Sequence, residues 1–233
     1  MQRRKLLATL SVSVLVVALS AVATAPATAS AGASPKSVAA VPSVIHGNGY
    51  VIVRSSDGVK SKDGTFIATG AVDANTMIVI ANADGSLPGG VTEEQIAQIA
   101  AQRAAGGSQT AALSSTNSTA AATSSLLNTY TANAANWTGE LQSIQSLAGS
   151  PGFQKGYTFV VCGACNQTNS GQGLGYYQGY NGSTFGVWAK WYGLNAAWSG
   201  HTGGGSVPWG NVWAYPKFKA KCATTPVCSG EWS

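Results

Sequence analysis

The four cysteines of this 233-residue chain, Cys162, Cys165, Cys222 and Cys228, all lie in its last third. They share that stretch with most of the aromatic side chains: residues 151–233 hold six of the seven Trp, six of the eight Tyr and four of the five Phe. A block of about 80 residues buries little apolar surface, and covalent cross-links are the usual supplement in small exported domains. The block contains no Asp and a single Glu, Glu231, against Lys155, Lys190, Lys217, Lys219 and Lys221, a net charge of +4. Residues 30–150 carry five basic and seven acidic residues. Composition, charge and cysteine use change together near Pro151, so a domain boundary is expected there.

Whether those cysteines are oxidised depends on compartment, which the other end of the chain addresses. The basic MQRRK precedes the apolar LLATLSVSVLVVAL and then the small-residue run AVATAPATASAGAS. Together these are the n-region, h-region and A-x-A tail of a bacterial-style signal peptide over residues 1–29. Its apolar part, interrupted by Ser and Thr, is shorter than the ~20 residues a spanning helix needs, so no stable membrane span is expected after cleavage. Arg3-Arg4-Lys5-Leu6-Leu7 also fits a loose twin-arginine pattern. The expected localisation is secreted, extracellular or held at the cell surface. Cleavage lowers the net charge from +5 to +2, and so modest a charge does not suggest a nucleic-acid partner.

After a flexible segment at 30–43, residues 44–86 read as strands. HGNGYVIVRSSDG, TFIATG and TMIVIANADG are β-branched runs separated by Asp57-Gly58, Asp63-Gly64 and Asp84-Gly85, which suggests a small β-meander of three or four strands. Thr92 with Gln95 forms a capping-box pattern, Glu93 and Glu94 suit the first turn, and a helix is expected to about Ala105. It completes a small α/β segment over 44–105. Residues 106–125 have the Ser/Thr/Ala-rich composition of a linker. Leu127, Tyr130, Ala134, Trp137, Leu141, Ile144 and Ala148 recur at spacings of three and four, so a second helix is expected over 126–149. In 151–233, YTFVVC, LGYYQGY, STFGVWAKWYG, VPWGNVWAYP and KFKAKC read as strands. The expected fold class is α+β overall, an N-terminal small β-meander plus helices and a C-terminal disulfide-stapled, aromatic-rich all-β domain.

CGAC at 162–165 admits several chemistries. A redox pair needs a helix after the first thiol, and NQTNSGQG does not begin one. Zinc would have to combine C-x2-C with a loose C-x5-C spacing. A papain-like nucleophile at Cys165 would need His201 and Asn211 close behind it and an aromatic where Asn166 stands. Structural disulfides fit an exported chain better. Longer loops confine the unfolded chain more, which favours long-range cross-links between the start and end of the block, with the local pairs Cys162–Cys165 and Cys222–Cys228 as the alternative.

Acid–base hydrolysis of glycosides uses two carboxylates, and residues 151–230 contain none. His46 and His201, the only histidines, sit beside glycines, as turn residues do. No catalytic residue, metal ligand or cofactor is therefore assigned, and a non-enzymatic role is expected. The aromatic supply points to binding: indole rings stack on the apolar faces of sugars while amides bond the hydroxyls. In TFGVWAKWYG, Trp188, Lys190 and Tyr192 alternate with Phe185, Val187, Ala189 and Trp191. Trp188, Lys190, Tyr192, Trp198, Trp209 and Trp213 form the expected ligand-binding set, for a polysaccharide or other cell-wall polymer. KFKAKC puts Lys217, Lys219 and Lys221 on one strand face, either a protected edge or a contact for an anionic surface. Two other functions fit in part: an antimicrobial or toxin-like protein restrained by its acidic 30–150 region, and a secreted enzyme working through Cys165 and His201.

Overall fold

The computed structural model describes residues 44–105, 128–134, 136–223 and 226–233, all within one compact unit running from Ala40 to Ser233. The expected signal peptide, the 30–43 segment and the 106–125 linker lie outside the described residues. The described chain is mostly β, with a single α-helix and with its disulfides in the C-terminal part.

Strands β1 (Val44–Gly47) and β2 (Tyr50–Arg54) form a hairpin around Asn48-Gly49, where Gly49 takes a φ of +78° that favours glycine. A second hairpin joins β3 (Val59–Ser61) to β4 (Gly64–Ala68). Strand β5 (Met77–Ala81) then lies parallel to β2, with Val51 opposite Ile78 and Val53 opposite Ile80. Helix α1 (Glu93–Ala104) starts at the expected capping box: the Gln95 N–H donates to the Thr92 hydroxyl, and the Thr92 N–H donates to the Gln95 side chain. At its other end Arg103, half-buried, donates to the Gly149 carbonyl at 2.8 Å and to Asn211 Oδ1 at 2.9 Å, tying the helix to two segments distant in sequence. Burial lowers the pKa of that guanidinium.

Ten further strands are β6 (Asn128–Asn133), β7 (Leu141–Gln142), β8 (Leu147–Ala148), β9 (Gln154–Val161), β10 (Thr168–Asn181), β11 (Thr184–Gly193), β12 (Ala197–Trp198), β13 (Thr202–Pro208), β14 (Val212–Ala214) and β15 (Lys217–Cys222). The last is β16 (Val227–Trp232). They complete three sheets, ordered β1-β2-β5-β14-β8, β3-β4-β11-β10-β15-β7 with β12 beside β10, and β13-β9-β16-β6.

The sheets stack in layers. Strands β2 and β5 read YVIVR and MIVIA because both of their faces are covered, as in buried parallel sheets. One face lies under Ile96 and Ala100 of α1, with Trp213 in the same cluster. The other packs on the second half of β10 and on β11 through Leu174, Tyr176 and Val187. The first half of β10 turns its opposite face to the third sheet. Glycines make that contact possible: a Cβ on Gly171 would sit 2.8 Å from the Phe159 ring, and one on Gly173 would sit 2.6 Å from Tyr157. Phe159, Phe218 and Tyr157 thus lie directly against backbone, with Trp232 in the same cluster.

Several expectations need correction. The described residues of the expected 126–149 helix are not helical. NTYTAN forms β6, in which Tyr130 and Ala132 are buried while Thr129, Thr131 and Asn133 are exposed. A spacing of three or four catches the same residues as this period-two pattern over so short a run, and Thr and Tyr favour extended backbone. Ile144 and Trp137, placed on the buried stripe of the expected helix, are exposed. The expected meander is replaced by strands divided between two sheets, since β4 pairs with β11 while β5 joins β2 in parallel. Strands from both sides of Pro151 share all three sheets: β14 lies between β5 and β8, β11 beside β4, and β16 beside β6.

The disulfides are the local pairs, Cys162–Cys165 and Cys222–Cys228, with Cα atoms 5.5 and 5.7 Å apart. Loop entropy favours long-range cross-links, but strand direction decides here. Cys162 leaves the end of β9 in a tight turn whose Cys165 N–H donates to the Cys162 carbonyl. Cys222 ends β15 in the second sheet and Cys228 lies in β16 of the third, so their bridge ties two layers across a short corner.

Candidate binding face on the central sheet

Along the first half of β10, Asn169, Gly171 and Gly173 are buried, while Thr168, Ser170 and Gln172 alternate with them and stay half-exposed. Directly paired residues of antiparallel strands project from the same face. Lys221 and Lys219 on β15 are opposite Ser170 and Gln172, and Trp198 on β12 is opposite Thr168. From β11, Trp191 joins them: the Lys219 Nζ sits 4.2 Å from the centre of its ring. The segment before β7 supplies Trp137, with the Lys221 Nζ 5.3 Å from its ring centre. Thr138 fixes that segment, donating its N–H to the Ala220 carbonyl and accepting the Ala220 N–H on its hydroxyl.

The result is an open face with three indoles and two ammonium groups around a short polar row. Trp198 is 46 % exposed and Trp137 38 %, while Trp191 leans partly into the core between the first and second sheets. Lys217, the third lysine of β15, is paired with Glu140 at 3.0 Å. Lys219 and Lys221 have no carboxylate within ion-pair distance among the described residues.

The expected ligand-binding set is not brought together. Trp209 is fully buried, donates its indole N–H to the Val212 carbonyl and meets Tyr176 edge-on at 4.9 Å. Trp213 is 1 % exposed and donates to the Ser146 hydroxyl. Both belong to the core, where no ligand reaches them. Trp188, Lys190 and Tyr192 project from the opposite face of β11. There Trp188, 8 % exposed, is held between Phe66 at 5.0 Å and Tyr177 at 6.2 Å. The Tyr192 ring covers Gly175 and packs on the third-sheet core, and burial pushes its phenol pKa up. Lys190 is exposed, with its Nζ 6.0 Å from that ring. Only Trp198 of the six stands on the face described above. Trp137 and Trp191, which also form it, fall in the sequence on a helical stripe and at an alternating strand position. Their signal was readable only together with the KFKAKC strand beside them.

Cys165 is in a disulfide and so is no free nucleophile in this state. His201 closes a turn, its N–H donating to the Trp198 carbonyl and its own carbonyl accepting from Val161. Among the described residues no group of three or more His, Cys, Asp and Glu is placed to hold a metal, and no helix is long and apolar enough to cross a membrane. A shallow groove of about 380 Å³ on the third sheet presents Thr129, Thr131 and Ser229 with one carboxylate, Glu231. The two-carboxylate arrangement of a glycosidase is not present there. No protein-family model matches this chain, and neither the curated proteins nor the solved structures searched contain a match.

Proposed function

We propose that this is a secreted, non-enzymatic protein that holds a glycan of the cell envelope on the face formed by Trp137, Trp191, Trp198, Lys219 and Lys221. One observation carries the proposal: side chains from β10, β11, β12, β15 and the segment before β7 converge on a single uncovered surface of the central sheet. Exposed indoles offer flat apolar area to sugar rings at little conformational cost, and Ser170 and Gln172 between them can bond hydroxyls. A toxin released from its N-terminal region fits less well, because strands before Pro151 belong to every sheet.

Co-sedimentation with insoluble polysaccharides and peptidoglycan tests this function. The exported protein should be retained, and Trp198→Ala should weaken retention about tenfold, the loss expected for one stacking ring. Its unfolding midpoint should be unchanged. Absence of binding to every such polymer would refute the proposal.

A further inference from the structure

Resting on that proposed function, the two lysines narrow the ligand. We infer that the face takes an acidic polysaccharide, a chain of sugar rings that carry carboxylates.

The ammonium groups are held in place. Lys219 lies 4.2 Å from the Trp191 ring centre and Lys221 5.3 Å from that of Trp137, both within cation–π range. A lysine already confined against an indole loses less side-chain freedom when it meets an anion. Lys219 and Lys221 are two residues apart on one strand, so their Cα atoms lie about 7 Å apart on the same side. Lys217 continues the row but is neutralised by Glu140, which leaves a pair of charges at the end of β15 nearest Trp198 and Trp137. No Asp occurs in residues 151–233, and the one Glu, Glu231, lies in the groove of the third sheet. The charge of the face is therefore complementary to an anion.

The pairing of charge with rings selects among anions. A polyol phosphate would use the lysines and leave Trp198 without a ring to stack on. A neutral glucan would use the indoles and leave two ammonium groups facing uncharged hydroxyls. A chain in which each sugar carries its own carboxylate uses both. A membrane surface fits poorly, because among the described residues the face offers no cluster of exposed aliphatic side chains to insert.

Affinity electrophoresis or calorimetry on the exported protein tests this with four probes: polygalacturonate, its methyl ester, hydroxyethyl cellulose and poly(glycerol phosphate). Polygalacturonate should bind on the order of tenfold more tightly than its methyl ester at low salt, and added salt should erase the difference. The double variant Lys219→Gln/Lys221→Gln should remove that preference, so that acid and ester bind alike. Trp198→Ala should weaken binding of both. Equal binding of acid and ester, or an unchanged preference in the double variant, overturns the acidic ligand and leaves glycan binding standing. Preference for poly(glycerol phosphate) also overturns it, since the rings would then be idle. Absence of binding to all four, alongside retention on some insoluble polysaccharide, again defeats only the acidic ligand. No binding in either experiment defeats the proposed function with it.

Discussion

The seven tryptophans of this chain do three different jobs, and sequence spacing does not separate them. Trp209, Trp213 and Trp232 fill cores, Trp188 is sealed between two other rings, and Trp137, Trp191 and Trp198 border an open sheet face. Burial dictates their energetic weight. Trp209→Ala removes a fully buried indole whose N–H is satisfied by the Val212 carbonyl, leaving a cavity under Tyr176 and Val187. It should cost about 3–5 kcal/mol of stability. Trp198→Ala removes a half-exposed ring and should change stability by no more than about 0.5 kcal/mol. Denaturant unfolding of the two variants under the same conditions checks the contrast. Similar losses would mean that Trp198 is structural and its exposure irrelevant. The three lysines of β15 differ in the same way: identical in sequence pattern, they are distinguished by partners distant in sequence, Glu140 for Lys217, Trp191 for Lys219 and Trp137 for Lys221.

Strand β10 shows how one element can serve two cores and a surface. Gly171 and Gly173 present no side chain, so the third sheet can close on them, while the buried Asn169 donates to the Tyr130 hydroxyl, and Leu174 and Tyr176 turn the other way into the first-sheet core. The Tyr157 ring beneath Gly173 cannot retreat, because its hydroxyl donates to the Leu174 carbonyl at 2.9 Å and accepts the Lys217 N–H. Gly173→Val should therefore cost about 3 kcal/mol or more through overpacking, beyond any gain in strand propensity. Gly156→Val on β9, where an added Cβ meets nothing within 4 Å, should be neutral or mildly stabilising. Thermal melts of both distinguish a packing requirement from a general intolerance of the strands. The sequence made some of this legible. Thr92 and Gln95 located α1, and the β-branched runs located most strands. NTYTAN misled because a six-residue strand and two helical turns bury overlapping positions. The binding face was hidden for another reason: it depends on β12 and β15 both flanking β10, and local pattern carries no information about which strands become neighbours.

At the scale of the whole molecule, the change of composition at Pro151 marks a change of role within one unit. The earlier segment contributes the apolar parallel pair β2 and β5, the covering helix and Trp137 of the open face, and the later one contributes the long strands, the disulfides and the rest of that face. Their interdependence can be weighed. Strand β14 is hydrogen-bonded on one side to β5 and on the other to β8, both from before Pro151. Leu174, Tyr176, Val187 and Trp209 pack on Val51, Val53, Ile67, Ile78 and Ile80. Taking those five aliphatic partners away forfeits burial worth about 1.5–3 kcal/mol each, a sum comparable to the roughly 5–15 kcal/mol by which a domain of this kind is stable. The two local disulfides cannot offset this. Each closes a short loop, and the entropy model assigns such loops only about 2 kcal/mol apiece. A chain of residues 151–233 expressed alone, with its disulfides formed, should therefore lack a cooperative unfolding transition and the dispersed amide spectrum of a folded protein, while residues 40–233 should show both. A stably folded 151–233 fragment would reverse this conclusion and return the boundary at Pro151 to a division between independent domains. It would also restore the case for a released C-terminal toxin, since such a protein needs a part that keeps its fold after the acidic segment has been cut away.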